Sequence, residues 1–342
     1  MTKKTSEARR ALALISGGLD SQLAAKLVSD QGVEVIGVNY RTGFTTEENQ
    51  GQFDDIERDL EIEIRRPRVN EEDYLDLIKS PDHGYGSAMN PCIDCRALVL
   101  REAKSYMEEI SADFVVTGEV LGQRPMTQRR EPMEALKKDS GLGDRLLRPL
   151  SAKLLPPTLP EKKGWVNREE LFDIEGRSRT VQLELAEEFG IDHYSQPSGG
   201  CLLTEEEFGH RLQELFDLKG RKKVTAEDVK LLRHGRHFRL PGDAKAIIGR
   251  NEEENNQLSQ FESDFWRLRV SEFPGPLTLV TKNATDEELA VAARLTARYS
   301  QGRNEDQLET VAKKDGETKI FRVVPMDSNS DYIGELRIES PN

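Results

Sequence analysis

An α/β domain built on a doubly wound parallel sheet, followed by a smaller α+β domain, is the architecture this sequence predicts. Three observations carry it. The first forty residues run apolar segment, glycine loop, amphipathic stretch, apolar segment, which is the order of a strand–loop–helix–strand unit. At 342 residues the chain exceeds one average domain and suits two. Charge then changes abruptly after Phe216: Lys219 to Arg250 holds ten Lys/Arg against three Asp/Glu, a local +7 inside a chain of net charge −13. The expected boundary puts residues 1–216 in the α/β domain and 217–342 in the second.

Each element follows from local pattern. Ala11–Ile15 is a short apolar run that reads as the first strand. Glycines punctuate it, and Ser21 to about Ser29 is amphipathic, closed by Gly32. Val33–Tyr40 reads as the next strand, Arg96–Ile110 as a helix, and Asp113–Thr117 as a strand entering a glycine-containing loop. Leu146–Pro160 holds several prolines and no period, so it reads as a connector. Glu169–Gly190 reads as a helix ended by its glycine.

Composition narrows the classes. With 36% hydrophobic and 32% charged residues, the chain has the makings of a well-solvated globular protein with a sizeable core. No run approaches the roughly 20 apolar residues that span a bilayer. The N-terminal stretch meets Gly17 and Asp20 before any signal-type apolar core develops. A cytoplasmic protein without a membrane partner is expected. The net charge excludes a uniformly basic nucleic-acid binder but leaves room for a basic face, with Arg233, Arg236, His237 and Arg250 as candidate phosphate contacts. The alternative is a solvated surface offset by Glu252–Glu254. Three cysteines, Cys92, Cys95 and Cys201, are an odd number with no export signal, so a disulfide scaffold gives way to a reactive thiol or a metal centre.

Ser16-Gly17-Gly18-Leu19-Asp20-Ser21 lies between the first strand and the first helix. Glycines there let backbone N–H groups converge on an anion, and the helix N-terminus adds its positive end. Ser16 and Ser21 can add hydroxyl donors, and Asp20 can hold a magnesium ion that bridges phosphates. A tight turn capped by Asp20 or Ser21 is the plainer alternative. The loop is neither a Walker A motif, lacking GK[ST], nor a GxGxxG fingerprint.

SGGLDS resembles the PP-loop of the ATP pyrophosphatases, enzymes of HUP-like fold that cleave ATP between its α- and β-phosphates to adenylate a substrate. Further segments narrow the resemblance. Val115–Gln123 (VVTGEVLGQ) is similar to the TGE-x-LGQ segment of the tRNA 4-thiouridine synthetase family, ThiI, which implies ATP contacts for Gly118 and Gln123. Arg148-Pro149-Leu150 resembles that family's RPL segment, and Pro197–Thr204 (PSGGCLLT) sets Cys201 as in related thiouridylases. Arg233–Asn255, with its GRHF and GRN-x-x-EN elements, is similar to the NFACT-R RNA-binding module. Typical members of the ThiI family carry a ferredoxin-like and THUMP region before the PP-loop, whereas here the loop follows a strand starting near residue 11. The C-terminal module is therefore expected to take over the grip on RNA. The MnmA family of 2-thiouridine enzymes shares the PP-loop and paired-cysteine plan and stands as the alternative.

The cysteines carry the sulfur chemistry in this reading. A CxxC turn, Cys92-Ile93-Asp94-Cys95, brings two sulfurs onto one metal or into a redox pair. With Cys201 they offer three thiolates, enough to hold three irons of a [4Fe–4S] cluster and leave the fourth open. Two alternatives remain. Cys201 could carry a persulfide that Cys95 resolves as a disulfide, without a cluster, or His193 could complete a Cys3His zinc site. The expectation is an ATP- and magnesium-dependent tRNA sulfurtransferase with Asp20, Cys95 and Cys201 as catalytic residues. It would be fed by sulfide or a cysteine desulfurase-type donor and would yield 4-thiouridine, with 2-thiouridine as the alternative product. A small-molecule sulfurtransferase and a non-enzymatic RNA-binding factor are the competing classes. Oligomeric state stays open, a homodimer included. Arg124, Arg129 and Arg130 read either as a cationic loop or as solvated surface, His234 as a further phosphate candidate, and Trp165 and Trp266 as packing residues.

Overall fold

The computed structural model describes residues 9–45, 50–195, 201–261, 265–328 and 330–338, and it divides into two compact units, residues 1–204 and 205–342. In the first unit five parallel strands, β1 (Arg10–Leu14), β2 (Glu34–Val38), β3 (Ile64–Arg65), β4 (Phe114–Thr117) and β5 (Leu146–Leu147), pair in the order β3-β2-β1-β4-β5. The helices are α1 (Leu19–Ser29), α2 (Gln50–Leu60), α3 (Glu71–Lys79), α4 (Cys92–Glu109), α5 (Arg130–Asp139), the single turn α6 (Leu159–Lys162) and α7 (Thr180–Phe189). The doubly wound prediction holds.

Strand β1 explains why both faces are covered. Ala11, Ala13 and Ile15 join one buried cluster with Leu19, Leu23 and Val28 of α1. Leu12 and Leu14 join the opposite cluster with Leu100, Ala103 and Met107 of α4. A strand apolar at every position is what a central parallel strand between two helical layers requires. In an open parallel sheet the loops leaving the carboxyl ends of the strands form the ligand crevice. The SGGLDS loop leaves β1 at that edge, residues 39–45 leave β2, and the segment 118–123 leaves β4.

Two expectations for this unit are corrected. Helix α7 starts at Thr180, not Glu169, because Phe172, Ile174 and Gly176 donate backbone hydrogen bonds to the carbonyls of Pro149, Leu150 and Leu121 (3.0, 2.9 and 2.8 Å). Tertiary pairing outbids helix propensity there. The connector at 146–160 begins instead with β5, whose Leu146 and Leu147 pair with Val115 and Val116.

The second unit contains α8 (Glu206–Lys219), α9 (Ala226–Leu231), β6 (Arg236–Arg239), β7 (Lys245–Ile248), α10 (Glu252–Leu258), β8 (Phe265–Val270), β9 (Thr278–Thr281), α11 (Asp286–Arg298), β10 (Leu308–Lys314), β11 (Glu317–Val323) and α12 (Asp331–Leu336). Its six-stranded sheet has the order β11-β10-β8-β9-β7-β6 with antiparallel pairs throughout. Leu289, Ala292, Ala293 and Leu295 of α11 pack on one face with Trp266, Leu268 and Val280. The β10–β11 turn is Asp315-Gly316, both at positive φ (48° and 84°), as a two-residue hairpin of type I′ demands.

The boundary falls at Thr204/Glu205, before α8, and not after residue 216. Glu214 of α8 pairs with Arg239 and, at 3.1 Å, with Lys245, while Arg211 donates to the Leu232 carbonyl at 3.2 Å. Helix α8 is thus tied to strands β6 and β7. Part of the positive charge counted after Phe216 is thereby neutralised inside its own unit by an acidic residue just upstream.

Candidate functional site

The SGGLDS loop is held by its carbonyls. Gly17, at φ 85°, turns its C=O inward to accept from Gln22 Nε2 (3.3 Å), Gln52 Nε2 (3.3 Å) and the Ser195 N–H (2.9 Å). With that carbonyl fully engaged, the loop does not present its negative end to an anion. Ser21 Oγ donates to the Gly18 carbonyl at 2.7 Å and accepts from the Ser16 N–H at 3.1 Å, which closes the turn. Helix α1 has no side-chain cap on its N-terminal N–H groups. An uncapped N-terminus of an eleven-residue helix behind a glycine turn is suited to phosphate oxygens.

Asp20 faces this opening. Its Oδ2 accepts from Gln123 Nε2 at 2.9 Å, whereas its Oδ1 is buried without a hydrogen-bond partner, as is Gln123 Oε1. A buried unpaired carboxylate oxygen is costly unless a cation or ligand supplies what the protein does not. The residues therefore fit a magnesium ion. Gly118 sits against the same helix end: a Cβ there would lie 2.4 Å from the backbone of Asp20 and Ser21. Only glycine lets the loop after β4 approach the start of α1 so closely. Ser16, Gly17, Gly18, Asp20, Ser21, Gly118 and Gln123 are thus brought to one place.

Behind this wall lies an ion-pair network. Glu119, 4% exposed, receives Arg96 Nε at 2.8 Å, Arg148 Nε at 2.7 Å and the Thr117 hydroxyl at 3.2 Å. Burial works against its charge, but the two guanidiniums outweigh that and hold its carboxyl down at about 2. The TGE and RPL segments, 29 residues apart at these positions, meet through this pair. Leu121 is held in turn by Ser151 Oγ (2.9 Å), itself bonded to the Ile174 carbonyl (2.7 Å), which fixes the approach of Gln123.

Cys95 and Cys201 lie beside Tyr74. Its hydroxyl donates to Cys95 Sγ at 3.3 Å, and its ring lies 5.3 Å from that of Phe44. Phe44 accepts from the Leu202 N–H at 2.9 Å, and Thr45 bridges to Cys201, so the strand pair carrying Cys201 is seated beside the same phenol. Cys92 Sγ accepts from Asn90 Nδ2 at 3.1 Å. Asp94, inside the CxxC turn, is buried and accepts from the N–H groups of Asp82 (3.0 Å) and His83 (3.1 Å), which anchors the turn. Burial pushes the Cys95 thiol up to about 11; the Tyr74 hydrogen bond opposes this, while Cys201 and Cys92 raise it further. The same mutual influence puts all three sulfurs in one neighbourhood. Their chemistry fits a three-cysteine cluster, although no three His, Cys, Asp or Glu side chains among the described residues are already drawn together as metal ligands.

His193 does not join them. Its Nδ1 pairs with Asp59 Oδ2 at 2.8 Å and its carbonyl accepts from Gln22, so it buttresses the glycine loop and gives no support to a Cys3His zinc site. Pro197–Gly200 of the PSGGCLLT segment lie outside the described residues. The flanking anchors are informative nonetheless: Ser195 donates to the Gly17 carbonyl and bridges Gly18, and, six residues on, Cys201 bridges Thr45. Six residues span at most about 20 Å, which bounds the distance from that anchor on the glycine loop to Cys201.

In the second unit one expectation is overturned. His237 is 0% exposed, with Nε2 bonded to the His234 carbonyl at 2.9 Å and Nδ1 buried without a partner. Its imidazole cannot meet phosphate, because β6 carries it into the core. Burial, aided by Lys245 and Arg211, pushes it well below its ordinary value. The folded unit keeps His237 neutral, whereas the unfolded chain protonates near pH 6.5, so stability falls as pH drops below about 6.5. Urea midpoints of this unit, read by hydrogen exchange, should fall between pH 7 and pH 5, and His237→Leu should flatten that slope. Arg250 is exposed but donates to the Gly235 carbonyl (2.8 Å) and pairs with Glu254 (3.7 Å). Arg236 stacks over Tyr299 at 4.7 Å, and Arg233 is half-buried. Arg130 donates to the Leu154 carbonyl at 3.1 Å, and Trp266 is buried as expected. Among the described residues no helix is long and apolar enough to cross a membrane.

Comparison with known proteins gives two family matches: thiamine biosynthesis protein (ThiI) over residues 6–150, and the NFACT protein RNA binding domain over residues 235–332. A probable tRNA sulfurtransferase of Thermococcus kodakarensis is 29% identical over 180 residues, covering 51% of this chain and 42% of that protein. The tRNA-specific 2-thiouridylase MnmA of Geotalea uraniireducens is 32% identical over 138 residues, covering 34% of this chain and 36% of that one. The chain thus spans well under half the length of these relatives. Among solved structures, a 4-thiouridine synthetase in complex with RNA and ATP aligns with 66% of this chain and 52% of its own at 21% identity and a TM-score of 0.39. Residues 6–150 are thus similar to the ThiI family and residues 235–332 to the NFACT protein RNA binding domain.

Proposed function

We propose that this chain thiolates tRNA: it adenylates a uridine carbonyl oxygen with ATP and replaces that oxygen with sulfur. The observation that carries the reading is that Ser195 is anchored on the glycine loop at Gly17 while Cys201, six residues on, is anchored at Thr45 beside Tyr74 and Cys95. A glycine loop at a helix N-terminus and sulfur nucleophiles only six residues of chain away from it suit adenylation followed by thiolation. The family matches to both halves and the tRNA-thiolating relatives of the first half support it.

The chemistry runs in two displacements. Oxide is a poor leaving group, so the uracil oxygen first attacks the α-phosphorus of ATP, forming the O–P bond as the bond to pyrophosphate breaks. The N-terminal N–H groups of α1, with Gly17 and Gly18, hold the β,γ-phosphates, and Asp20 would hold the magnesium that neutralises their charge. A sulfur nucleophile then attacks the activated carbon and AMP departs with the oxygen. Cys92, Cys95 and Cys201 would hold a [4Fe–4S] cluster, which would supply the sulfide taken from the donor. The product we assign is 4-thiouridine, on the extended ThiI match. The second unit would supply the grip that splays the target nucleotide from its stack.

Mass spectrometry of nucleosides from bulk tRNA, comparing a strain lacking the gene with its complemented parent, tests the reading. Loss of 4-thiouridine is expected. Loss of 2-thiouridine in its place would move the chemistry to the other carbonyl, and persistence of every thionucleoside would refute thiolation. Anaerobically purified protein should carry iron and acid-labile sulfide, both lost in Cys92→Ala; an iron-free, active preparation would favour the persulfide.

A further inference from the structure

The second unit holds an open groove of about 1040 Å³ whose walls come from β6, the turn into α10, β8, the end of α11 and the loop after it. Five arginines line it: Arg236, Arg250, Arg269, Arg298 and Arg303. Arg250 is engaged by Glu254 and the Gly235 carbonyl, but Arg269, Arg298 and Arg303 have no carboxylate partner among the described residues. Arg269 and Arg303 are exposed. Tyr299, half-buried, lines the same groove, with the guanidinium of Arg236 4.7 Å from its ring centroid and that of Arg298 at 6.0 Å. Phe273 is a second aromatic wall.

Unpaired arginines around an aromatic are a particular chemistry. Guanidiniums pair with phosphate in a fork and also offer a planar face on which a base can stack. Backbone charge alone would serve duplex and single strand alike, whereas a stacking platform is useful only to bases that are not paired. The volume reaches the upper end of small-ligand pockets, roughly 300–1,000 Å³, so more than one nucleotide fits.

We propose that this groove binds an unpaired segment of RNA, with Arg269, Arg298 and Arg303 on phosphates and the Arg236–Tyr299 stack under a base. The proposal rests on the reading of the second unit as an RNA grip and names where and what it grips. The contacts differ from the sequence-level candidates: His237 is in the core, and the three unpaired arginines lie outside the Arg233–Arg250 basic segment.

The test uses the full-length protein and fluorescence anisotropy with two probes, a labelled twelve-nucleotide single-stranded RNA and a hairpin duplex of the same charge, across a potassium chloride series. Wild type should prefer the single strand. Arg269→Gln/Arg298→Gln/Arg303→Gln should weaken it at least tenfold near physiological salt and flatten the log K against log salt slope by about 2, since each phosphate contact on a single strand contributes roughly 0.7. Tyr299→Leu should weaken binding about tenfold with the salt slope unchanged. Lys222→Gln/Lys223→Gln, in an exposed basic turn of the same unit, should change neither. Hydrogen exchange of the unit identical to wild type establishes that each variant is folded. Wild-type affinity in the triple arginine variant would overturn the groove while leaving the unit an RNA binder. Equal affinity for duplex would overturn the unpaired specificity. If wild type binds neither probe nor tRNA, the reading of the second unit as an RNA grip falls, and the groove assignment with it.

Discussion

Asp20→Asn is expected to lower ATP-dependent thiolation at least a hundredfold while leaving the fold intact. Asn keeps an oxygen for Gln123 Nε2, so the 2.9 Å hydrogen bond that links α1 to the loop after β4 survives. What disappears is the negative charge at Oδ1, the buried oxygen with no protein partner. If that oxygen holds magnesium, its loss removes charge compensation from the phosphates at the moment the α–β bond breaks. Losing one such preorganised electrostatic contact costs on the order of 10²–10³ in rate. Pyrophosphate release in the presence of tRNA measures the step directly, ahead of sulfur transfer. A variant within fivefold of wild type would show that Asp20 only braces Gln123. Gln123→Ala separates the two roles, since it removes the brace and keeps the charge.

Arg148→Met is expected to destabilise the first unit by about 3–5 kcal/mol, the range for removing one partner of a buried ion pair. The side chain is almost wholly enclosed, and its departure leaves Glu119 with Arg96 and the Thr117 hydroxyl alone. The sign with pH follows. Glu119 is held at about 2 in the folded unit, below the ordinary carboxylate range near 4.5. Its stabilisation is therefore complete above about pH 4.5 and is lost as pH falls toward 2. In Arg148→Met that depression is smaller, so acid unfolding should begin at higher pH. Urea unfolding followed by hydrogen exchange of peptides from residues 9–195 gives both numbers. A loss below about 1 kcal/mol, with an unchanged acid limb, would mean that Glu119 is protonated or hydrated in the native protein. Because the Glu119 segment positions Gln123, the variant should also bind ATP less tightly.

Much of this was written locally. The run Ala11–Ile15, the glycine turn and the amphipathic stretch after it specify a strand, a loop and a helix through short-range rules of period and φ. The glycine loop was legible for that reason, and the paired cysteines of the CxxC turn were legible as neighbours. The helix expected from Glu169 failed where the chain was recruited into pairing with Pro149 and Leu150, a contact no local rule encodes. The boundary after residue 216 failed similarly, because Glu214 is drawn to Arg239 and Lys245. His237 read as a cation in a basic run, yet β6 buries its imidazole in the core.

By itself, then, the sequence determined the α/β order, the glycine loop, the three thiols and a locally basic segment from Lys219 to Arg250, all properties of neighbouring residues. Only the tertiary structure decided which distant groups serve them. It turned the Gly17 carbonyl inward through Gln22, Gln52 and Ser195, joined Glu119 to Arg148, placed Tyr74 beside Cys95 and Cys201, and lined one groove with Arg269, Arg298, Arg303 and Tyr299. Most of these partners lie about twenty to more than a hundred residues apart in the chain. Their meeting depends on sheet order and on the burial of two separate cores, which is long-range information that spacing along the chain does not carry.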